Sequence, residues 1–350
     1  MTRNTEDNDH DAMHRYVDRR KKTVRQSTWE SDITAMKHLR RFLQKRDLKP
    51  HELTQEQAEK FLLMLKNRDM KEFNAGQYAL VVNAFYDYCS KRDAFKIDHN
   101  PIEIPLEDIP FENDVSTERR DIELAEMRDA VRMIKHPLMA ALIMTFLKTG
   151  MRNGELCNLD LRDVHIDHPG IERMHPGHRP KLDGRPDTIY VPDKTEMQKG
   201  EETNGEVRGA GNKRSRATYV PIDEELKQAL LTWLMIRPTS RSPAKPLFTL
   251  TRGSKGSVPG DRLRTDTVGK YVAAWAEEQG WWESGATLET NVTPHYFRHY
   301  FTTMMRRRTN DETLVKYIRG DRGGDIIDRY THNWGDLVRK QYLENIYTFR

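Results

Sequence analysis

Apolar residues recur at helical spacing through most of the first hundred positions. Ala58, Phe61, Leu62 and Leu65 form one such stripe, and Thr54 with Gln57 supplies a reciprocal capping pattern just ahead of it. Ser31 is placed to cap a helix whose inner face would hold Ile33, Met36, Leu39 and Phe42. Tyr78, Val81, Val82, Phe85 and Tyr88 repeat the period between residues 74 and 89. Aromatics at this spacing read as core rather than as a base-stacking platform. Residues 10–96 are therefore expected to be helical throughout.

The pattern breaks at residues 101–118, which hold Pro101, Pro105, Pro110, six acidic residues and no Lys or Arg. Proline is excluded from helix interiors and like charges extend a chain, so this stretch is expected to be a linker. Three parts follow: a helical domain over 1–105, a linker over 106–121 and a second domain over 122–350. In the second domain, helices are expected over 123–134 and 136–148. Strands are expected at 187–191 and 217–222, flanking a polar, glycine-bearing stretch, 193–215, that reads as a long hairpin tip. Asp223 caps a helix carrying Leu226, Leu230, Trp233 and Leu234, stopped before Pro238. Residues 251–266, with three glycines and four basic residues, read as a mobile, phosphate-facing loop. Helices over 267–278, 293–308, 311–319, 325–331 and 337–347 complete the reading. The fold class is mainly α with a small antiparallel β-sheet: a helical domain followed by a mixed α/β one.

Composition narrows the function. Apolar residues make up 36% and charged residues 32%. No apolar run approaches the length of about 18 residues that a membrane span needs. Residues 1–11 are too polar and acidic for a secretory signal, so a cytoplasmic protein is expected. Cys89 and Cys157 each lie inside an apolar helical pattern and are expected to be buried free thiols; two cysteines also exclude a thiolate-rich zinc site.

The net charge of +4 matters less than its distribution. Arg19, Arg20, Lys21 and Lys22 cluster early, with Arg40 and Arg41 beyond them, and these six are the candidate DNA contacts of the first domain. Further basic groups are Lys213, Arg214 and Arg216, then Arg262 and Arg264, then Arg306 to Arg308. His165, His168, His175 and His178 form two His-x-x-His pairs among prolines and glycines. That irregular setting suits solvent- or phosphate-facing histidines, and no metal site is expected.

Four stretches of the second domain carry candidate chemistry. In Thr149-Gly150-Met151-Arg152-Asn153-Gly154-Glu155-Leu156, one helix ends at Gly150 and another begins near Asn153, leaving Arg152 at the turn with Glu155 three residues on. In Thr293-Pro294-His295-Tyr296-Phe297-Arg298-His299, a helix start places His295 and Arg298 on one face beside helix-terminal amides. Asp328-Arg329-Tyr330-Thr331-His332 surrounds a tyrosine with polar neighbours. Gly211-Asn212-Lys213-Arg214 precedes a strand ending Tyr219-Val220-Pro221.

Taken in order, Arg152, Lys213, His295, Arg298 and Tyr330 resemble the active-site series of the tyrosine recombinase (phage integrase) family: Arg, Lys, His-x-x-Arg, a His or Trp, then Tyr. Its Thr-Gly-x-Arg-x-x-Glu-Leu, His-x-x-Arg-His and Arg-Tyr-x-His patterns are matched at 149–156, 295–299 and 329–332. The position that is usually His or Trp, in a Leu-Gly-His context, falls on Asp321, nine residues before Tyr330. That is a departure. The chain up to Asn100-Pro101 resembles the family's core-binding domain, and 122–350 its catalytic domain.

The resemblance implies a site-specific DNA recombinase that cleaves and rejoins DNA through a 3′-phosphotyrosyl intermediate. Tyr330 is the implied nucleophile, and Arg152 and Arg298 clamp the nonbridging oxygens as charge builds on them. His295 is the proton-transfer partner, and Glu155 orients Arg152. Lys213, eight residues before Pro221, is the implied general acid, with Lys194 in Pro192-Asp193-Lys194-Thr195 as the alternative. Asp321 cannot donate to a phosphate oxygen when ionised; bracing Arg298, Arg319 or Arg322 is one role open to it, staying protonated is another, and His332 or His299 is then left to supply the missing donor. The phosphotyrosyl bond keeps its energy, so neither metal nor nucleotide cofactor is implied. The implied partners are double-stranded DNA with specific recombination sites and further copies of the chain in a tetramer on DNA. No membrane and no small-molecule substrate are implied. A type IB topoisomerase and a DNA-binding architectural or regulatory protein with decayed catalysis remain open. Leu337, Val338, Tyr342, Leu343, Ile346 and Tyr347 form an apolar tail face, expected to dock on a neighbouring protomer; packing on its own domain is the alternative.

Overall fold

A computed structural model describes residues 8–24, 26–68, 70, 72–111, 119–175, 177–253, 256–286, 290–321 and 334–349. The chain divides into two compact units, Met1–Thr117 and Glu118–Arg350. The first unit contains helices α1 (Asn8–Thr23), α2 (Gln26–Gln44), α3 (Gln55–Lys66), α4 (Glu72–Ser90) and α5 (Glu103–Asp108). Thr54 and Gln57 cap α3 reciprocally, at 3.0 and 3.3 Å. Met36, Leu39, Phe42, Phe61, Leu62, Leu65, Val82 and Phe85 are buried together. Ser31 does not cap a helix; it lies inside α2, which begins at Gln26. The buried Asp32 carboxylate accepts from Arg20 Nε at 2.7 Å, and this tie to α1 outweighs the local preference of serine for a cap.

The expected linker also needs correction at its start. Residues 101–111 belong to the first unit. Pro105 is the third residue of α5, where a missing N–H breaks no helical bond. Ile102 and Pro105 are buried, Leu106, Ile109 and Phe111 pack on the core, and Lys66 Nζ donates to the Pro110 carbonyl at 2.6 Å. Five apolar residues interleaved with the acidic ones decide the matter.

The second unit holds α6 (Leu124–Arg132), α7 (Pro137–Thr149), α8 (Asn153–Asn158), β1 (Val164–His165), α9 (Pro169–Met174), β2 (Thr188–Val191), β3 (Glu202–Thr203), β4 (Glu206–Val207) and β5 (Thr218–Pro221). Helices α10 (Glu224–Ile236), α11 (Thr265–Glu278), α12 (Pro294–Thr309), α13 (Glu312–Arg319) and α14 (Trp334–Asn345) follow. Helix α7 is apolar nearly all round and packs against α10 and α12. Strands β1, β2 and β5 form an antiparallel sheet in that order, with Ile189 opposite Val220; β3 and β4 pair separately. No described helix is long and apolar enough to cross a membrane. Cys89 and Cys157 are buried, free thiols. The expected helix over 325–331 lies outside the described residues.

Two stretches expected to be loose are stapled down. Arg208, inside 193–215, is buried and donates to both Asp160 oxygens, at 3.1 and 2.7 Å, while Asn212 donates to the Pro192 carbonyl at 2.7 Å. In the 251–266 region, Arg262 turns inward to Asp160 at 2.6 Å and Glu206 at 2.8 Å, and to the carbonyls of Cys157 and Leu159. Its charge offsets the buried Asp160 and the half-buried Glu206 and is not offered to a phosphate. A buried aspartate at 160 needs such partners, because an unpaired buried carboxylate costs several kcal/mol.

The tail packs on its own unit, against the expectation of docking on a neighbour. Val338, Tyr342, Ile346, Tyr347 and Phe349 are buried, whereas Leu337 and Leu343 stay exposed. Tyr342 Oη donates to the Lys148 carbonyl at 2.8 Å, and Tyr347 Oη to that of Leu147. The fully buried Lys148 ammonium binds Asp223 at 2.6 Å, Glu225 at 2.8 Å and the Tyr347 carbonyl, while the Phe349 N–H meets Glu225 at 3.0 Å. The apolar face of α14 finds its partners in α12 and β5, and the residues after it bond to α7 and α10. Ending the chain at Asn345 removes two buried aromatics and uncovers this ion cluster. Stability should fall by about 5 kcal/mol or more, enough to lower Tm by roughly 10 °C or more, with all activities declining together. An unchanged melting curve with selective loss of self-association would restore the neighbour-docking role.

Candidate active site

Several elements of the second unit end at one place. Helix α7 stops at Gly150, whose left-handed φ of +60° turns the chain against α12; a Cβ there would stand 2.5 Å from the Phe301 ring. Arg152 is the residue before α8, and Glu155 in the first turn accepts from the Arg152 backbone N–H and from its Nη1, both at 3.0 Å. Helix α12 starts at Pro294 and turns Arg298 inward, where its side chain is only 2% exposed. Arg298 Nη1 donates to the Gly150 carbonyl at 2.7 Å and Nη2 to the Arg319 carbonyl at 3.0 Å.

Helix α13 ends at Gly320, with φ at +66°, and the Asp321 N–H donates back to Lys316 at 3.0 Å. A Cβ at Gly320 would lie 2.0 Å from Arg214 Cγ, so glycine is required for the approach. Arg214 is fully buried; it donates to Glu155 at 3.1 Å, to the Ile318 carbonyl at 2.8 Å and to the Thr218 hydroxyl. Asp321 joins three more guanidiniums. Its Oδ1 accepts from Arg152 Nη2 at 2.9 Å and from Arg298 Nη2 at 2.6 Å, and its Oδ2 lies 2.9 Å from Arg319 Nη2. Arg319 is held in turn by the Thr302 hydroxyl at 2.9 Å.

The site is thus four guanidiniums against two carboxylates. Burial raises the pKa of both acids, but the arginines outweigh it: Arg298, Arg319 and Arg152 hold Asp321 low, and Arg214, Arg152 and Arg298 hold Glu155 low. Arg298 is pushed down to about 9, by burial first and then by Arg152 and Arg319, and stays a cation at neutral pH. His295 and His299 stand in edge contact with ring centroids 4.6 Å apart. His295 reaches solvent, yet partial burial first, then His299, Arg119, Arg298 and Arg152, lowers it to about 4.

Of the residues singled out from sequence, Arg152, Glu155, Arg298 and Asp321 form one bonded set. Lys213 is exposed between the buried anchors Asn212 and Arg214, and Lys194 lies on the adjoining segment, its N–H on the Arg214 carbonyl at 3.0 Å. The two lysine candidates therefore flank one another. Tyr330 lies outside the described residues. Three other tyrosines of this unit are buried with their phenols engaged: Tyr296 donates to Arg120, Tyr342 donates to Lys148, and the Tyr317 oxygen accepts from the Tyr219 N–H. In the first unit, Arg19, Lys21, Lys22, Arg40 and Arg41 are exposed, whereas Arg20 is committed to Asp32.

Sequence reasoning placed Arg214 only in a surface basic group. The available signal was alternation along an extended segment, with Asn212 and Arg214 inward and Lys213 outward. The histidine pairs fold into local contacts. His165 and His178 stack at 4.1 Å, His178 meets Asp183 at 3.1 Å, and His168 accepts from the Gly170 N–H. Among the described residues, no group of three or more His, Cys, Asp or Glu is disposed to hold a metal.

Residues 196–335 match the phage integrase family and residues 10–104 the phage integrase SAM-like domain, together about two thirds of the chain. The tyrosine recombinase XerC of Haemophilus ducreyi is 30% identical over 146 residues, 41% of this chain and 41% of the relative. The chain spans less than half the length of the curated relatives it matches: 41% here, and 44% for the tyrosine recombinase XerS of Streptococcus pneumoniae. The Tn1549 transposon integrase in complex with transposon right end DNA has a similar fold, with a TM-score of 0.62 at 17% identity over 91% of this chain and 93% of that one. A lambda integrase tetramer bound to a Holliday junction aligns with a TM-score of 0.60 at 14% identity over 90% of this chain and 78% of that one. The fold, the matched segments and the ordered motifs agree, and the chain belongs to the tyrosine recombinase (phage integrase) family.

Proposed function

We propose that the protein is a site-specific DNA recombinase that cuts and rejoins DNA through a phosphotyrosine bond, without metal or nucleotide cofactor. The observation that carries this reading is the convergence of Arg152 Nη2 and Arg298 Nη2, from two different helix starts, on one oxygen position at 2.9 and 2.6 Å. Paired guanidiniums aimed at one point suit a phosphate nonbridging oxygen, and stabilising its growing charge in a partly dry site is worth several kcal/mol. Glu155 positions Arg152, and Arg214 positions Glu155.

Tyr330 is the nucleophile: its oxygen bonds to phosphorus, the P–O bond to the 5′ oxygen breaks, and a 3′-phosphotyrosine remains. His295 takes the phenol proton. Lys213 gives a proton to the leaving oxygen, with Lys194 as the neighbouring alternative. Rejoining reverses these steps. The burial of Tyr296, Tyr317 and Tyr342 supports Tyr330, since a buried phenol held by backbone groups cannot reach DNA. The exposed cations Arg19, Lys21, Lys22, Arg40 and Arg41 suit contact with double-stranded DNA in the cytoplasm. Assembly of four copies around two recombination sites is supported by the likeness to the lambda integrase tetramer. Among the described residues, no feature of the site favours the topoisomerase reading.

Tyr330→Phe should bind DNA normally while forming no denaturant-resistant adduct with a nicked substrate that traps the cleaved state. Adducts at wild-type yield would move the nucleophile elsewhere. A substrate with sulfur at the 5′ bridging position separates the lysines, because sulfur leaves without protonation. It should restore cleavage by Lys213→Ala; rescue of Lys194→Ala alone would transfer the acid role to Lys194. In the DNA-free protein His295 should titrate well below the ordinary imidazole value of about 6.5, so that between the two values the unfolded chain binds the extra proton and stability rises with pH. Its ring NMR signals against pH, alone and with duplex, read this directly. A midpoint at or above the ordinary value in the free protein would show that neither the partial burial nor the cationic neighbours govern His295.

A further inference from the structure

We propose that Asp321 is a built-in anion occupying the phosphate position of the DNA-free site, and that the scissile phosphate enters by exchange with its carboxylate. The inference rests on reading Arg152 and Arg298 as the phosphate clamp. In the resembled family this position carries a hydrogen-bond donor. Here one carboxylate oxygen sits where the two clamp arginines converge, at 2.9 and 2.6 Å. A phosphate oxygen meeting the same two donors needs that point, and two anions cannot share it.

The surroundings distinguish a removable occupant from a brace. Each clamp arginine keeps an anchor when Asp321 leaves. Arg152 remains bound to Glu155, whose side chain is 1% exposed, through Nη1 and the backbone N–H. Arg298 remains bound to the carbonyls of Gly150 and Arg319. The clamp is therefore built without Asp321. The displaced carboxylate has a place to go as well: its other oxygen already lies 2.9 Å from Arg319, which Thr302 holds independently. The Asp321 N–H is held on the Lys316 carbonyl after the left-handed turn at Gly320, which fixes the backbone leading into Asp321 while its side chain turns. The Asp321 side chain is 22% exposed, against 2% for Arg298, which gives a phosphate access from the solvent side.

Inorganic sulfate tests the exchange on the full-length protein, by titration calorimetry at constant ionic strength with chloride as the balancing salt. Asp321→Asn and Asp321→His each remove the competing charge and should bind sulfate roughly tenfold or more tightly than wild type. Asp321→Glu keeps a carboxylate and should stay near wild type. Arg298→Gln should lose the sulfate site in either background. If Asp321→Asn and Asp321→His, folded by circular dichroism, bind sulfate no more tightly than wild type, Asp321 is a brace and the exchange is wrong. Asp321→His alone decides between exchange and brace should Asp321→Asn not fold. Adduct formation by the wild-type protein is scored separately. Tighter sulfate binding without any adduct would uphold the exchange and sink the recombinase reading; an adduct without tighter binding would sink the exchange alone.

Discussion

Guanidiniums repel one another, and taking each out of water costs several kcal/mol. Arg152, Arg214, Arg298 and Arg319 nevertheless meet in one partly buried volume: Glu155 and backbone carbonyls anchor the first three, and Asp321 fills the point where Arg152 and Arg298 converge. Much of the second unit serves that arrangement. Gly150 and Gly320 end α7 and α13 in left-handed turns, which bring the ends of two helices against α12 and Arg214 with no side chain in the way. Helix α7 has to be apolar nearly all round because α10, α12 and the C-terminal residues cover it. The tail is one more wall of the same core, fastened through the buried Lys148.

A site held by such a network is positioned before any ligand arrives. Preorganised charge needs no rearrangement at the moment the phosphate charge grows, which is the main way a protein accelerates attack on a phosphodiester without a metal. It also leaves the empty site strongly cationic. A carboxylate at 321 offsets part of that charge, where a neutral donor would leave it bare. The departure at this position thus fits the architecture without implying lost chemistry.

Much of this was legible in the chain. The capping pair at Thr54, the stripes of α3 and α4, and the helix start at Pro294 are local signals whose physics does not depend on distant residues. Arg152, Arg298 and Asp321 were placed by ordered motifs. What failed depended on long-range contacts. Residues 101–111 have a linker's composition, yet five apolar side chains dock them on the first core. Arg208, Arg214 and Arg262 look like surface cations in sequence, and only the fold brings Asp160 and Glu155 to meet them. The tail's apolar face was visible, but nothing local revealed which surface would receive it.

In the proposed reaction the arginine cluster offsets the negative charge of the scissile phosphate. Single-turnover cleavage by Arg298→Ala, on a duplex with a neutral methylphosphonate at the scissile position, tests it most directly. The native phosphodiester should be cut at least ~100-fold more slowly by this variant than by wild type, and removing the charge from the substrate should restore much of the loss. Equally slow cleavage of the charged and the neutral linkage would contradict this role, because Arg298 would then be needed for something other than phosphate charge.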